Sequence, residues 1–237
     1  TGVQESHLTE SGQVSVCQRL SDHHLVFGKG GSAKSFQRAG VGGTGPSSYQ
    51  SLNFAAEGGV FLCASPALCI VDTARNDPLV SELWATGRWS ESFVPCGRGG
   101  HFGFFFATIY FEAKVPLSHP GNLRLAKLAT AAAARKGSSA PYFLSGDYQR
   151  HPADFDSFDF EGGRWFDTAS VCNSVEAGAP TFCADPKWNR VATGPGATSI
   201  DYILSNASGA QLAHEFGIVR HLCSPGHLGL QLGLSLS

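Results

Sequence analysis

Pro141-Tyr142-Phe143-Leu144-Ser145-Gly146-Asp147-Tyr148-Gln149 runs from a short apolar stretch into a Ser-Gly turn and then a carboxylate. A run of this length closed by turn residues predicts a buried strand, which leaves Asp147 just beyond its end. The arrangement recurs twice downstream. Ile200 to Leu204 predicts a strand that carries Asp201 near its start, and Leu228 to Leu234 predicts another immediately after His227. Side chains able to move protons thus stand at the ends of three strands that are far apart in sequence. That placement decides the reading of the fold.

Working outward, the rest of the chain predicts a mixed α/β body. Asn122 to Lys136 is the clearest helix, with Leu123, Leu125, Leu128 and an alanine run before a stop at Gly137. Asp77 to Trp84 predicts a short helix with Pro78 in its first turn. Phe102 to Phe111 predicts a long strand buried on both faces. Gly59 to Ala64 and Leu68 to Val71, separated by Ser65-Pro66, predict an antiparallel pair. Gly2 to Glu5 reads as a strand end, Leu8 to Leu20 as a polar helix, and His24 to Phe27 as a further strand. Residues 28–50 read as a Gly/Ser-rich loop. Lys29 is followed there by Gly30, where a phosphate-cradling loop needs Ser or Thr. The expected fold class is α/β (α+β), a layered sandwich in one domain over 1–237.

Composition narrows the partners. The formal charge is −2, and no Lys/Arg run stands out. Binding driven by the nucleic-acid backbone needs clustered cations, so the linear sequence argues against tight, non-specific DNA binding. Charged residues make up 15% of the chain, below the usual share of about 25%, which together with 29 glycines points either to a β-rich, loop-rich body with little solvated helix surface or to surface covered by other protein subunits. Seven cysteines are scattered with no Cys-x-x-Cys pair, so no closed zinc site is expected. Asp154, Asp156 and Asp159 lack the glycine and glutamate of a calcium loop. No Gly-x-Ser-x-Gly elbow occurs. No apolar stretch reaches the roughly 18 residues of a membrane span.

Five segments then fall in a telling order: Gln4-Glu5-Ser6-His7, Ala107-Thr108-Ile109-Tyr110, Ser145-Gly146-Asp147-Tyr148-Gln149, Ser199-Ile200-Asp201-Tyr202-Ile203-Leu204 and Ser224-Pro225-Gly226-His227-Leu228-Gly229-Leu230. Together they resemble the endonuclease/exonuclease/phosphatase superfamily. Gly87-Arg88-Trp89 and Pro180-Thr181-Phe182 are similar to text in its retroelement-type endonuclease domains. The resemblance implies four layers, two mostly antiparallel β-sheets flanked by helices, and a Mg²⁺-dependent phosphodiesterase site. Glu5 would be the metal carboxylate, and Asp147 would align or deprotonate the attacking water. His227 would contact the scissile phosphate, with Asp201 fixing its tautomer, and the Tyr110 hydroxyl would hydrogen-bond the phosphate. Cleaving a phosphodiester requires such a set, namely a positioned water, a base and positive charge for the developing oxyanions.

The pattern also breaks. The family's first strand, with a metal-holding asparagine, is expected upstream of Thr1. Gln149 stands where asparagine is expected, and Gly226 where aspartate is expected. Gln149 retains the amide on a longer arm, and an error near 1 Å at a reacting group can cost about a hundredfold in rate. Two functions follow. The first is a catalytically impaired domain serving as a structural or binding subunit of a larger assembly. The alternative is a Mg²⁺-dependent endonuclease or phosphodiesterase acting on DNA.

Overall fold

The computed structural model describes residues 2–3, 25–29, 60–64, 68, 70–73, 77–96, 102–183, 194–224 and 227–236. Two compact units divide the chain, Thr1–Glu112 and Ala113–Ser237. Most of 28–50 and the predicted helix over residues 8–20 lie outside the described residues. Gly28 and Lys29 belong to a strand and not to the expected loop.

The first unit holds strands β1 (Gly2–Val3), β2 (Leu25–Lys29), β3 (Val60–Ala64), β4 (Val71–Asp72), β5 (Trp89–Cys96) and β6 (Phe102–Tyr110). β3 pairs antiparallel with both β1 and β2. The expected partnership of Gly59–Ala64 with Leu68–Val71 is therefore a correction. Both edges of β3 are taken, and the later strand starts at Val71 and pairs with β5. Leu68 and Val71 are 48% and 49% exposed, so apolar character alone did not bury them. β6 is buried along Ala107–Tyr110 but opens toward its start, where Phe102 is 47% exposed, so burial on both faces holds only for its second half.

β5 pairs with β6 over its whole length although its centre is Ser90-Glu91-Ser92. All three side chains are buried, and the Thr73 hydroxyl donates to Glu91 Oε1 at 2.5 Å. Polar text masked this strand in the sequence. Helix α1 (Pro78–Ala85) packs Val80 and Leu83 inward. Asp77 caps it, its carboxylate accepting from the Leu79 N–H at 2.9 Å, and Pro78 occupies the first turn, where a missing N–H costs nothing.

In the second unit, helix α2 (Pro120–Arg135) buries Asn122, Leu125, Ala126, Ala129, Ala132 and Ala133. That spacing of three and four makes one stripe, and the alanines let neighbours approach closely. Gly137, at φ 91°, ends the turn in a conformation that disfavours side chains. Strand β7 (Tyr142–Asp147) is buried at every position and pairs antiparallel with β9 (Asp201–Ser205). The other edge of β9 carries β8 (Phe166–Asp167), only two residues long and followed directly by helix α3 (Thr168–Val171).

Between β7 and β8 the acidic-aromatic text sorts itself by burial. Phe155 and Phe158 are buried, Asp154 and Asp156 exposed. The Phe158 ring stands edge-on to Tyr148 and to Trp165, at centroid distances of 5.7 and 5.8 Å. After helix α4 (Ala207–Leu212), β10 (Ala213–Ser224) and β11 (His227–Leu234) form a two-stranded antiparallel sheet. β10 also escaped the sequence reading, because His214, Glu215 and Arg220 interrupt its apolar signal.

Asn206 ties this unit together. Its Oδ1 accepts from Gly209 N at 2.8 Å, capping α4, and from Tyr142 N at 3.0 Å, while Nδ2 donates to Ala140 O at 2.8 Å. Asn206→Ala should lower unfolding stability by about 2 kcal/mol, since it removes a cap and strands a buried N–H. Equilibrium denaturation checks this; an unchanged midpoint would show that the contacts carry no weight.

Candidate active site

The site is assembled by three strand ends. Asp147 closes β7, Asp201 opens β9, and the ladder sets the two opposite one another in register. His227 opens β11. The His227 Nδ1 lies 3.0 Å from Asp201 Oδ2 and 3.2 Å from Oδ1. A carboxylate only accepts, so Nδ1 carries the proton and Nε2 turns its face toward Asp147. The Nε2–Asp147 Oδ2 distance is 4.0 Å, beyond hydrogen-bond range, and it becomes an ion pair when the ring is protonated. The Phe182 ring lies against the imidazole at 4.6 Å between centroids.

Asp147 is 1% exposed. Its Oδ1 accepts from the Gln149 backbone N–H at 2.9 Å and its Oδ2 from the Gln149 Nε2 at 2.6 Å. Gln149 takes φ 60°, the left-handed region, which turns the chain back over the carboxylate. Its longer side chain is thus spent on Asp147. Two carboxylates facing each other across a ladder repel. The Gln149 donors on one side and the imidazole on the other offset that repulsion.

Neighbouring ionisable groups are held neutral. Burial pushes the Tyr148 phenol well above its ordinary value, with Asp167 adding to it, and Tyr148 donates to Leu144 O at 3.1 Å. Burial likewise raises Tyr202, against the lowering effect of a side-chain hydrogen bond with Ser199. Burial also raises the Cys172 thiol and, in the first unit, the Cys96 thiol, which makes both poor nucleophiles.

Asp147, Asp201 and His227 each present one ligand atom within 4.8 Å of the others. The two oxygen donors suit a hard divalent cation such as Mg²⁺, and the imidazole suits softer divalent ions. The donor set therefore fits a divalent metal.

Of the residues named from sequence, the structure brings Asp147, Gln149, Asp201 and His227 together. Tyr110 ends β6 in the first unit, 2% exposed, with the Arg88 guanidinium 5.0 Å above its ring. Glu5 and Gly226 lie outside the described residues. Sequence reasoning gave Thr181 no role. Its hydroxyl accepts from the Ile200 and Asp201 N–H groups at 3.2 and 3.1 Å, and its carbonyl accepts from the Leu228 N–H at 2.8 Å. The only signal was the tripeptide Pro180-Thr181-Phe182.

No family model and no curated sequence matches the chain. Solved structures do. The Xenopus laevis APE2 catalytic domain aligns at 11% identity over 100% of this chain and 85% of that one, with a TM-score of 0.58. An endonuclease/exonuclease/phosphatase from Bacteroides vulgatus aligns at 12% identity over 100% and 84%, also at 0.58. The chain has the endonuclease/exonuclease/phosphatase fold. A third structure with this fold, the 3′ phosphatase NExo from Neisseria bound to product DNA hairpin, aligns at 13% identity over 99% and 88%, with a TM-score of 0.58. The chain spans 57% and 51% of the length of two other matched structures, both from Bacteroides thetaiotaomicron. At these identities the likeness concerns the endonuclease/exonuclease/phosphatase fold alone. Within it, no helix of the described residues is long and apolar enough to cross a membrane.

Proposed function

We propose that the chain is a metal-assisted phosphodiesterase acting on DNA. One observation carries the reading: an imidazole held at Nδ1 by Asp201 presents Nε2 to a buried Asp147. Two separated carboxylates with an oriented ring between them are what in-line attack by water on a phosphate needs. DNA is favoured as substrate because one of the matched structures holds a DNA hairpin.

Asp147 is the group that aligns the water and takes its proton, with Gln149 fixing the carboxylate's direction. His227 places Nε2 toward the phosphate, where a protonated ring offsets developing negative charge. Asp201 orients the ring through Nδ1 and favours its protonated form. Asp147 and Asp201 are the described carboxylates that would hold a divalent ion, with Glu5 added by resemblance. Such an ion, Mg²⁺ in this reading, supplies Lewis-acid neutralisation of the phosphate oxygens.

A second reading is a catalytically impaired subunit of a protein assembly. It is favoured by the 2.6 Å contact through which Gln149 occupies Asp147 Oδ2, and by Gly226 in the sequence.

Labelled duplex, single-stranded and abasic DNA incubated with purified protein decides between them. Cleavage in Mg²⁺ that stops with EDTA is the expected result. No cleavage of any of the three with Mg²⁺ or Mn²⁺ would favour the subunit reading.

A further inference from the structure

The outer edge of β9 has an unusual finish. β8 covers only Leu204 and Ser205, so among the described residues positions 200–203 have no strand neighbour on that side. Two buried threonine hydroxyls take its place. Thr168 Oγ1 donates to Ile203 O at 2.8 Å, and Thr181 Oγ1 accepts from the Ile200 and Asp201 N–H groups. Both residues are buried, at 0% and 3% exposure. They differ in what lies beyond them. Thr168 touches the middle of β9, whereas Thr181 grips the backbone of the residue that orients His227.

Thr181 holds the histidine strand as well. Its carbonyl accepts from the Leu228 N–H at 2.8 Å, one residue past His227, and Phe182 bridges to His227 in backbone and ring. One residue therefore fixes both halves of the Asp201–His227 pair. The side-chain hydroxyl sets where Asp201 begins, and the main chain sets where His227 begins.

We infer that Thr181 is a positioning residue that aligns Asp201 with the imidazole of His227 by holding both strand starts. A hydroxyl at this point accepts two N–H groups that no strand partner reaches. Removing it frees the start of β9 to shift. The distance at stake is small, since 3.0 Å at Nδ1 is a hydrogen bond and 3.6 Å is not. The effect on catalysis rests on the phosphodiesterase reading; the effect on the histidine does not.

The test pairs two isosteric substitutions, Thr181→Val and Thr168→Val. Both remove one buried hydroxyl from the same edge, so both are expected to lower the melting temperature. Nitrogen-15 NMR of labelled histidine, with the His227 signals assigned by His227→Gln, reports which ring nitrogen carries the proton. Wild type and Thr168→Val should show Nδ1 protonated, whereas Thr181→Val should show a tautomer mixture, and Thr181→Ser should restore the wild-type pattern. On DNA, Thr181→Val should lower kcat about tenfold or more with KM within about twofold, as for a misplaced reacting group. If Thr181→Val does not fold, Thr181→Ala is read in the same way. An unchanged histidine spectrum in the Val or Ala variant overturns the inference, as does an equal change in Thr168→Val. Wild-type protein that cleaves no DNA but shows the expected spectra would refute the phosphodiesterase reading and leave the positioning role standing.

Discussion

Asp201→Asn should reduce the single-turnover rate of DNA cleavage by about 10³–10⁴-fold, with substrate affinity nearly unchanged. The reason lies in what an amide can do at Nδ1. Asp201 accepts from that nitrogen at 3.0 Å and fixes the proton there. Asparagine fits the same space but can turn its NH₂ group toward the ring, which stabilises the tautomer with the proton on Nε2. The ring also loses the counter-ion that favours its charged form, so the imidazolium needed at the phosphate is no longer supported, although every distance is preserved. Asp201 is largely buried beside a ring whose side chain is 19% exposed, so water does not readily substitute for the carboxylate. Pre-steady-state cleavage by the variant checks this. A loss below about tenfold would mean that the tautomer does not matter to the rate, since proton-transfer groups are worth about 10²–10⁴.

Asp147→Asn should cost about 10²–10⁴-fold in the same assay, the range for removing a positioned base. It should also leave the protein at least as stable as wild type. Asp147 faces Asp201 in register, and neutralising one of two opposed carboxylates relieves their repulsion. The introduced amide oxygen can still accept from the Gln149 backbone N–H, and its NH₂ group can donate to Gln149 Oε1 once that side-chain amide turns over, so the turn at φ 60° persists. Loss of activity with retained or increased stability is the mark of a group kept for chemistry. A variant that unfolds more easily would instead assign Asp147 a structural role.

The sequence made the strand ends legible because apolar runs and turn residues lie next to each other there. Asp147, Asp201 and His227 follow this rule, and so does helix α2 with its alanine stripe. Two strands were illegible for a physical reason. β5 buries the polar run Ser90, Glu91 and Ser92, with Thr73 donating to Glu91, so burial left no apolar trace. β10 is half-exposed and carries charges along its outer positions. In the sequence, Gln149 stands as an amide on a longer arm than the expected asparagine. The structure gives its amide a partner two residues back, because the left-handed turn shortens the reach to Asp147. Thr181 was invisible as a positioning residue, since its contacts are to backbone N–H groups that any residue type supplies.

The central claim is that this chain hydrolyses phosphodiesters at Asp147. The most direct test is single-turnover cleavage of one labelled DNA by wild-type and Asp147→Asn protein, purified side by side, in Mg²⁺ and in EDTA. The account predicts Mg²⁺-dependent cleavage by wild type and a rate at least about a hundredfold lower for the variant. Equal rates in the two preparations, or cleavage that persists in EDTA, would contradict it.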